Sequence, residues 1–252
     1  MKVICAGFSK TGTKSMNRAL TVLGYKVFDY IENIEEHGDN WVKIAKNEAG
    51  LDLLKTMFKD IDAGTDLPIY CFWEELLQAF PDAKVILMVR DNEDQFCASM
   101  IGQIENNQAL IGVLCQILSP SYRKLMKMNK LLAEPGFGYL PEKTFQIGYK
   151  INELCLKQAY RRHNAFVQEC CPKDRLLVFN CKEGWDPLCK FLNLPVPSEP
   201  FPHKNIKGEM AKDIVEMKTF RKIKAEVFLS SISLVFMFGL GSYWSYRKFI
   251  RF

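Results

Sequence analysis

The residues whose types and spacing could do chemistry stand near the amino end, in Gly7-Phe8-Ser9-Lys10-Thr11-Gly12-Thr13-Lys14-Ser15. They follow a short apolar run, Lys2 to Ala6, and precede a stretch with helical spacing. A loop from strand to helix exposes successive backbone N–H groups, and the helix start adds about half a positive charge. Gly12 lets the backbone approach an anion. Lys10 and Lys14 supply charge, and Thr11, Thr13 and Ser15 supply hydroxyl donors. Two lysines in one turn exceed what capping a helix requires. The expected chemistry is therefore the holding of a phosphate.

The commonest motifs do not say which phosphate. The ATP and GTP pattern G-x-x-x-x-G-K-[ST] fits at Gly7 and Gly12, but Thr13 takes the lysine place and Lys14 falls one residue late. The dinucleotide pattern G-x-G-x-x-G fails, because Ser9 stands where its second glycine belongs. Asp29, near the end of the second apolar run, does mimic the ribose-binding acid of that fold.

The elements that must position this loop are legible in outline. Strands are expected at Lys2–Ala6, Tyr25–Tyr30, Val85–Val89 and Leu176–Phe179. Helices are expected at Lys14–Leu23, over residues 39–60, at Ile69–Phe80, over most of Asp94–Leu118, and at Ile151–Cys171. Gly24, Pro81 and Pro172 are the stops. Glu134–Lys143, with two prolines and two glycines, reads as a loop. Pro195, Pro197, Pro200 and Pro202 mark an extended strap, to which His203 belongs. Strands alternating with helices imply an α/β fold with a parallel central sheet flanked by helices.

Composition removes other classes. The chain has 252 residues, 48% of them hydrophobic and 25% charged, so wholesale disorder and low-complexity classes are excluded. A net charge of +5 allows a local anion site but does not argue for nucleic acid as a partner. Three histidines are few for a histidine-built metal centre, and no metal is expected. The nine cysteines form no C-x-x-C pair and sit mostly in apolar runs. They read as buried free thiols in a reducing compartment. The opening apolar run is too short for an export signal.

The far end is different. Val227 to Tyr246 is 20 residues without a charge, and a spanning helix needs about 20. Lys222, Lys224 and Glu226 precede it; Arg247, Lys248 and Arg251 follow; Tyr243, Trp244 and Tyr246 suit a membrane interface. The plain alternative is a buried C-terminal helix, but buried helices seldom lack a polar face for so long. The expectation is a tail anchor, with the remainder of the chain facing the cytosol. The division is then a domain over residues 1–208, a charged connecting helix over 209–226, a transmembrane helix over 227–246 and a basic tail over 247–252. Basic residues on both flanks leave the orientation unset by charge.

The loop resembles one family. K-[ST]-G-T-x-[ST] is the 5′-phosphosulfate signature of sulfotransferases that use 3′-phosphoadenosine 5′-phosphosulfate (PAPS). GFSKTGTKSMNRAL resembles the P-loop branch that includes the schistosome drug-activating sulfotransferase. Further matches are Thr65-Asp66-Leu67-Pro68, FWEELLQAFPDAKVILMVRD from Phe72 to Asp91, and AYRRHNAFVQ from Ala159 to Gln168. KEGWDPLCKFLNLPVP from Lys182 and PFPHKN from Pro200 complete the set. The resemblance covers residues 1 to about 208 and omits the hydrophobic tail. Many relatives carry an epimerase/dehydratase label, against which the failed glycine pattern argues.

The resemblance implies roles. Lys10 would bind the 5′-phosphate and neutralise charge on the bridging oxygen, with Thr11, Gly12, Thr13, Lys14 and Ser15 completing the cradle. Arg90 and Ser99 would hold the 3′-phosphate, with Ser99 one position farther from the arginine than in the common cytosolic enzymes. The plain alternative pairs Arg90 with Asp91 or Asp94. Asp66, where those enzymes have histidine, would take a proton from an attacking hydroxyl or amine; otherwise it is a turn residue before proline, with Asp62 a rival base. Trp185 suits equally a nucleotide-facing ring or a helix start. An acceptor pocket would lie between Ile101 and Leu140, near Met100, Met126, Met128, Phe137 and Tyr139. The implied activity is sulfuryl transfer from PAPS to a small or lipophilic acceptor. The rivals are a P-loop kinase or NTPase, and an inactive membrane-tethered nucleotide binder.

Overall fold

The computed structural model describes residues 1–107, 110–138, 150–202 and 217–250. Five parallel strands form one sheet: β1 (Val3–Cys5), β2 (Val27–Phe28), β3 (Ala63–Gly64), β4 (Lys84–Met88) and β5 (Leu176–Phe179). The order is β2-β3-β1-β4-β5, with Ile4 beside Gly64 on one side and beside Val85 on the other. Successive strand side chains point to opposite faces. Ile4, Ala6, Val85 and Leu87 therefore enter one core, and Val3, Cys5, Ile86 and Met88 enter the other. Helices cover both faces, which gives three layers.

The second core is small: α1 (Thr13–Val22) and α9 (Trp185–Leu192) supply Met16, Ala19, Leu20, Leu188 and Leu192. The larger core takes α2 (Tyr30–Ala45), α3 (Leu51–Met57), α4 (Trp73–Ala79), α5 (Glu93–Asn107), α7 (Pro120–Phe137) and α8 (Glu153–Cys170). Between α5 and α7 lies α6 (Leu110–Leu118), none of whose residues is buried.

Several boundaries differ from expectation. The helix read over 39–60 is two helices. It begins at Tyr30, where Asp29 and Glu32 form a capping box, and is interrupted between Ala45 and Leu51. The cap also shortens the strand read as Tyr25–Tyr30 to two residues. Strand β3 was not expected, because two residues carry no readable alternation. The helix read at Ile69–Phe80 is a 3₁₀ turn, Ile69–Cys71, followed by α4. The loop read at Glu134–Lys143 is helical as far as Phe137. Pro135 and Gly136 stay in α7, where a Cβ on Gly136 would stand 3.0 Å from Cys71 Sγ. Close packing outweighs the propensity there, and residues 139–143 lie outside the described ones.

The last helix, α10 (Lys218–Ile250), runs without a break from the expected connecting segment into the charge-free stretch. Residues 209–216, His203 and the final two residues lie outside the described ones. The first turns of α10 are docked: Met217 and Ile223 are buried, and Glu226 accepts from Ser119 Oγ at 2.5 Å and Ser121 Oγ at 2.7 Å. From Ile232 to Trp244 the helix is exposed. Lys218–Trp244 is long and apolar enough to cross a membrane, and its apolar stretch is almost wholly exposed.

Candidate functional site

β1 pairs with β3 on one side and β4 on the other; the chain leaves β1 toward β2 on one side and later crosses past it to β4 and β5 on the other. Open α/β sheets bind ligands at such a switch point, outside the carboxyl ends of the strands. Four segments leave those ends here: Gly7–Gly12 after β1, Asp66 after β3, Arg90 after β4 and Asn180–Lys182 after β5.

The loop after β1 is shaped from below. Gly7 passes so close to β4 that a Cβ would stand 2.5 Å from the Met88 carbonyl oxygen. Phe8 is fully buried and anchors the loop, with Phe137 at 4.5 Å, His163 at 4.3 Å and Tyr70 at 4.9 Å between ring centres. Thr11 turns back on this anchor, its Oγ1 donating to the Phe8 carbonyl at 2.6 Å. Gly12 has φ 109°, a left-handed value, and a Cβ on it would meet Cys181 Sγ at 2.4 Å. Both constraints require glycine.

The catalytic candidates share an unusual backbone. Lys10 has φ 73° and Asp66 has φ 65°. Such values in non-glycine residues gather at functional sites. The Asp66 carboxylate accepts from Thr13 Oγ1 at 2.8 Å, from Leu67 N at 2.8 Å, and from Ser9 Oγ. It is thus tied to the loop after β1 on both sides of Lys10. Lys10 Nζ reaches Gln103 Oε1 on α5 at 3.3 Å, and its carbonyl accepts from Arg90 Nε at 2.6 Å. Asp62, the rival base, instead forms a salt bridge with Lys2 at 2.9 Å.

A pocket of about 150 Å³ opens where these loops meet, lined by Thr11, Gly12, Ser15, Arg90 and Gln95 among others. An open cleft of about 360 Å³ continues past Arg90 along Tyr160, Asn164 and Gln168 of α8. Arg90 has no ion pair with Asp91 or Asp94, contrary to the plain alternative. Asp94 pairs with Lys157. Asp91 binds Lys182, Asn180 Nδ2 at 2.8 Å and Gln95 Nε2 at 3.1 Å, and these donors hold its carboxyl below the usual range.

The predicted residues do not all converge. Thr11, Gly12, Ser15 and Arg90 line the small pocket. Lys14 points away from it: its Nζ lies 2.5 Å from Asp29 Oδ2, and Asn17 Nδ2 reaches the same oxygen at 3.0 Å. Burial and the nearby Asp66 raise the Asp29 carboxyl above its ordinary value, while Lys14 opposes them. Asp29 is therefore a cap and ion-pair partner. Ser99 is half-buried on α5, one turn beyond Gln95, and does not line the pocket. Trp185 is a core residue, its indole donating to the Glu199 carbonyl at 2.7 Å. Of the acceptor-pocket candidates, Met100 is buried, Met128 packs on the larger core and Phe137 stacks on Phe8, while Tyr139 and Leu140 lie outside the described residues.

Gln95, Asn180 and Cys181 were missed. Asn180 begins the turn after the last strand, which is the one signal that could have found it. Cys181 gives none, since only the fold brings its Sγ within 3.8 Å of the Gly12 carbonyl. Burial pushes that thiol up to about 11.

A parallel sheet with a glycine-bearing turn at its switch point, flanked by an arginine from the neighbouring strand, defines an α/β protein with a candidate anion site. Residues 2–210 match the sulfotransferase domain family. The chain is also 31% identical over 222 residues to "Ava biosynthesis cluster protein M" of Aspergillus versicolor, covering 81% of this chain and 80% of that protein. The chain belongs to the sulfotransferase family.

Proposed function

We propose that this protein transfers a sulfuryl group from PAPS to a hydroxyl or amine of a small or lipophilic acceptor. The observation that carries the reading is the meeting of the Lys10–Ser15 loop with Arg90, whose Nε donates to the Lys10 carbonyl at 2.6 Å. The donor set fits an anionic nucleotide: backbone amides at Gly12, the hydroxyl of Ser15 and the guanidinium of Arg90. The 5′ end would lie on residues 10–15 and the 3′-phosphate near Arg90, with Gln95 and Lys182 nearer to hand than Ser99.

PAPS supplies the sulfuryl group when bound. The acceptor oxygen or nitrogen forms the new bond to sulfur as the bond from sulfur to the bridging oxygen breaks. Lys10 places positive charge where that oxygen gains negative charge. Asp66 receives the acceptor proton, and Ser9 and Thr13 fix the orientation of its carboxylate. Such a base contributes roughly 10²–10⁴-fold. No metal is called for by this scheme.

The unit doing this work is residues 1–208, joined by residues 209–226 to a single span at 227–246 and a basic tail at 247–252, with the domain facing the cytosol. The bare apolar surface of α10 supports the anchor. Incubating the full chain in detergent with PAPS and a panel of lipophilic phenols and amines tests the activity. Release of 3′,5′-bisphosphoadenosine that depends on acceptor is expected. Binding without release, unaffected by Asp66→Ala, would favour the inactive nucleotide binder. Phosphoryl transfer from ATP with magnesium would favour the kinase.

A further inference from the structure

The apolar surface of this protein does not end with α10. Helix α6, LIGVLCQIL, carries no charge, and none of its residues is fully buried. Leu110, Ile111, Leu114 and Ile117 are 73%, 74%, 42% and 66% exposed. They fall at i, i+1, i+4 and i+7, on one face of the helix. Four large apolar side chains on one face form a patch that needs a partner.

The fold says where that patch sits. The core residues of α5 are at its beginning, Phe96, Cys97 and Met100; those of α7 are near its end, Leu132 and Ala133. Helix α6 joins the far end of α5 to the start of α7, so it lies at the end of the domain remote from the sheet. The same end releases α10. Glu226 holds the first turn of α7 through Ser121 N at 3.0 Å, and Ser230 Oγ donates to the Leu118 carbonyl at 2.9 Å. The C-terminal end of α6 is therefore pinned at the level where the charge-free stretch begins, at Val227. Basic residues ring this level: Arg123, Lys124 and Lys127 on α7, and Lys222 and Lys224 on α10. The acids nearby are Asp39, which pairs with Lys124 at 3.2 Å, Glu35, which accepts from Thr219 N at 2.9 Å, Glu105 near the end of α5 and the Ser-bound Glu226.

We infer that α6 is a second membrane contact, lying in the bilayer interface beside α10 with its Leu110–Ile117 face in the acyl boundary and the basic ring among anionic headgroups. Nine residues are too few to span, since a crossing needs about 20. An apolar helix face rimmed by lysine and arginine suits the interface. The Lys10 partner Gln103 lies on α5, the helix that leads into α6, so this placement sets one wall of the site close to the lipid surface. The inference rests on the anchoring proposed for α10, and the experiment separates the two.

The full chain is reconstituted into phosphatidylcholine–phosphatidylserine vesicles, with and without brominated acyl chains. Trp244, 75% exposed on α10, reports the anchor. Ile111→Trp in a Trp244→Phe background reports α6, after subtraction of the Trp244→Phe parent. Trp41, Trp73 and Trp185 are buried and give a constant baseline. Expected are a blue shift and bromine quenching of both reporters. Quenching of Trp244 without quenching of the Ile111→Trp reporter would overturn the role of α6 and leave the anchor standing. Quenching of the Ile111→Trp reporter alone would uphold α6 and sink the span. Quenching of neither would overturn both.

Discussion

The Asp66 carboxylate accepts a hydrogen bond from Thr13 Oγ1 at 2.8 Å, which ties the segment after β3 to the first residue of α1. With the Ser9 bond, it places a carboxylate across the loop that also carries Lys10. Asp66→Asn keeps the shape and removes the charge. It should lower sulfuryl transfer by about 10²–10⁴-fold while affinity for 3′,5′-bisphosphoadenosine stays near wild type. Steady-state rates and a binding titration measured on one preparation check this. Unchanged turnover would remove Asp66 from the chemistry.

Lys14 tests a division of labour within the loop. Its partner Asp29 is 2% exposed, so Lys14→Ala strands a buried carboxylate. Breaking such a pair costs about 3–5 kcal/mol, and the Asn17 and Tyr30 hydrogen bonds should hold the loss to the lower end. A large fall in melting temperature is expected, with a smaller loss of nucleotide affinity than Lys10→Ala causes. The reverse ranking would return Lys14 to the anion.

Gly12→Ala meets two obstacles, and a second substitution separates them. The added Cβ would stand 2.4 Å from Cys181 Sγ, and φ 109° penalises any side chain. A left-handed residue costs roughly 1–2 kcal/mol. The single variant should lose both stability and nucleotide binding. Adding Cys181→Ala should recover the part due to the clash and leave the backbone cost, as denaturant midpoints would show. No recovery would mean that the two residues are not in contact.

His163 gives a pH signature. Its Nε2 lies 2.7 Å from the Ala6 carbonyl, which can only accept, so Nε2 carries a proton and donates it. Burial lowers its basicity, with Arg162 adding to the effect and the Ala6 hydrogen bond opposing it. The unfolded chain therefore takes up a proton near pH 6.5 that the folded chain refuses. Stability should be undiminished by this group above that pH and fall as pH drops below it. The fall in melting temperature between pH 7 and 5.5 should be shallower in His163→Gln, though that variant starts lower.

The sheet was legible in β1, β4 and β5 because each is an apolar run bounded by turn residues. It was illegible in β3, where Ala63 and Gly64 owe their strand conformation to pairing with β1 and β2. The loop after β1 could be singled out as a candidate anion site because its composition is local: glycine, lysine and hydroxyl residues within one turn. The Asp29–Lys14 pair was not, since the lysine direction depends on where α2 begins. Asn180 and Cys181 join the site from a distance of roughly 170 residues along the chain. Nothing local announces Cys181. The Pro135-Gly136 helix was misread because close packing against Phe8 and Tyr70 favours a residue that local propensity disfavours.

The central claim is that the loop after β1 and Arg90 hold a doubly phosphorylated adenine nucleotide. Calorimetric titration of the detergent-solubilised full chain addresses it directly. Saturable binding of 3′,5′-bisphosphoadenosine is expected, lost in both Lys10→Ala and Arg90→Ala and indifferent to magnesium. Binding of ATP that requires magnesium, with no heat from the bisphosphate, would contradict it.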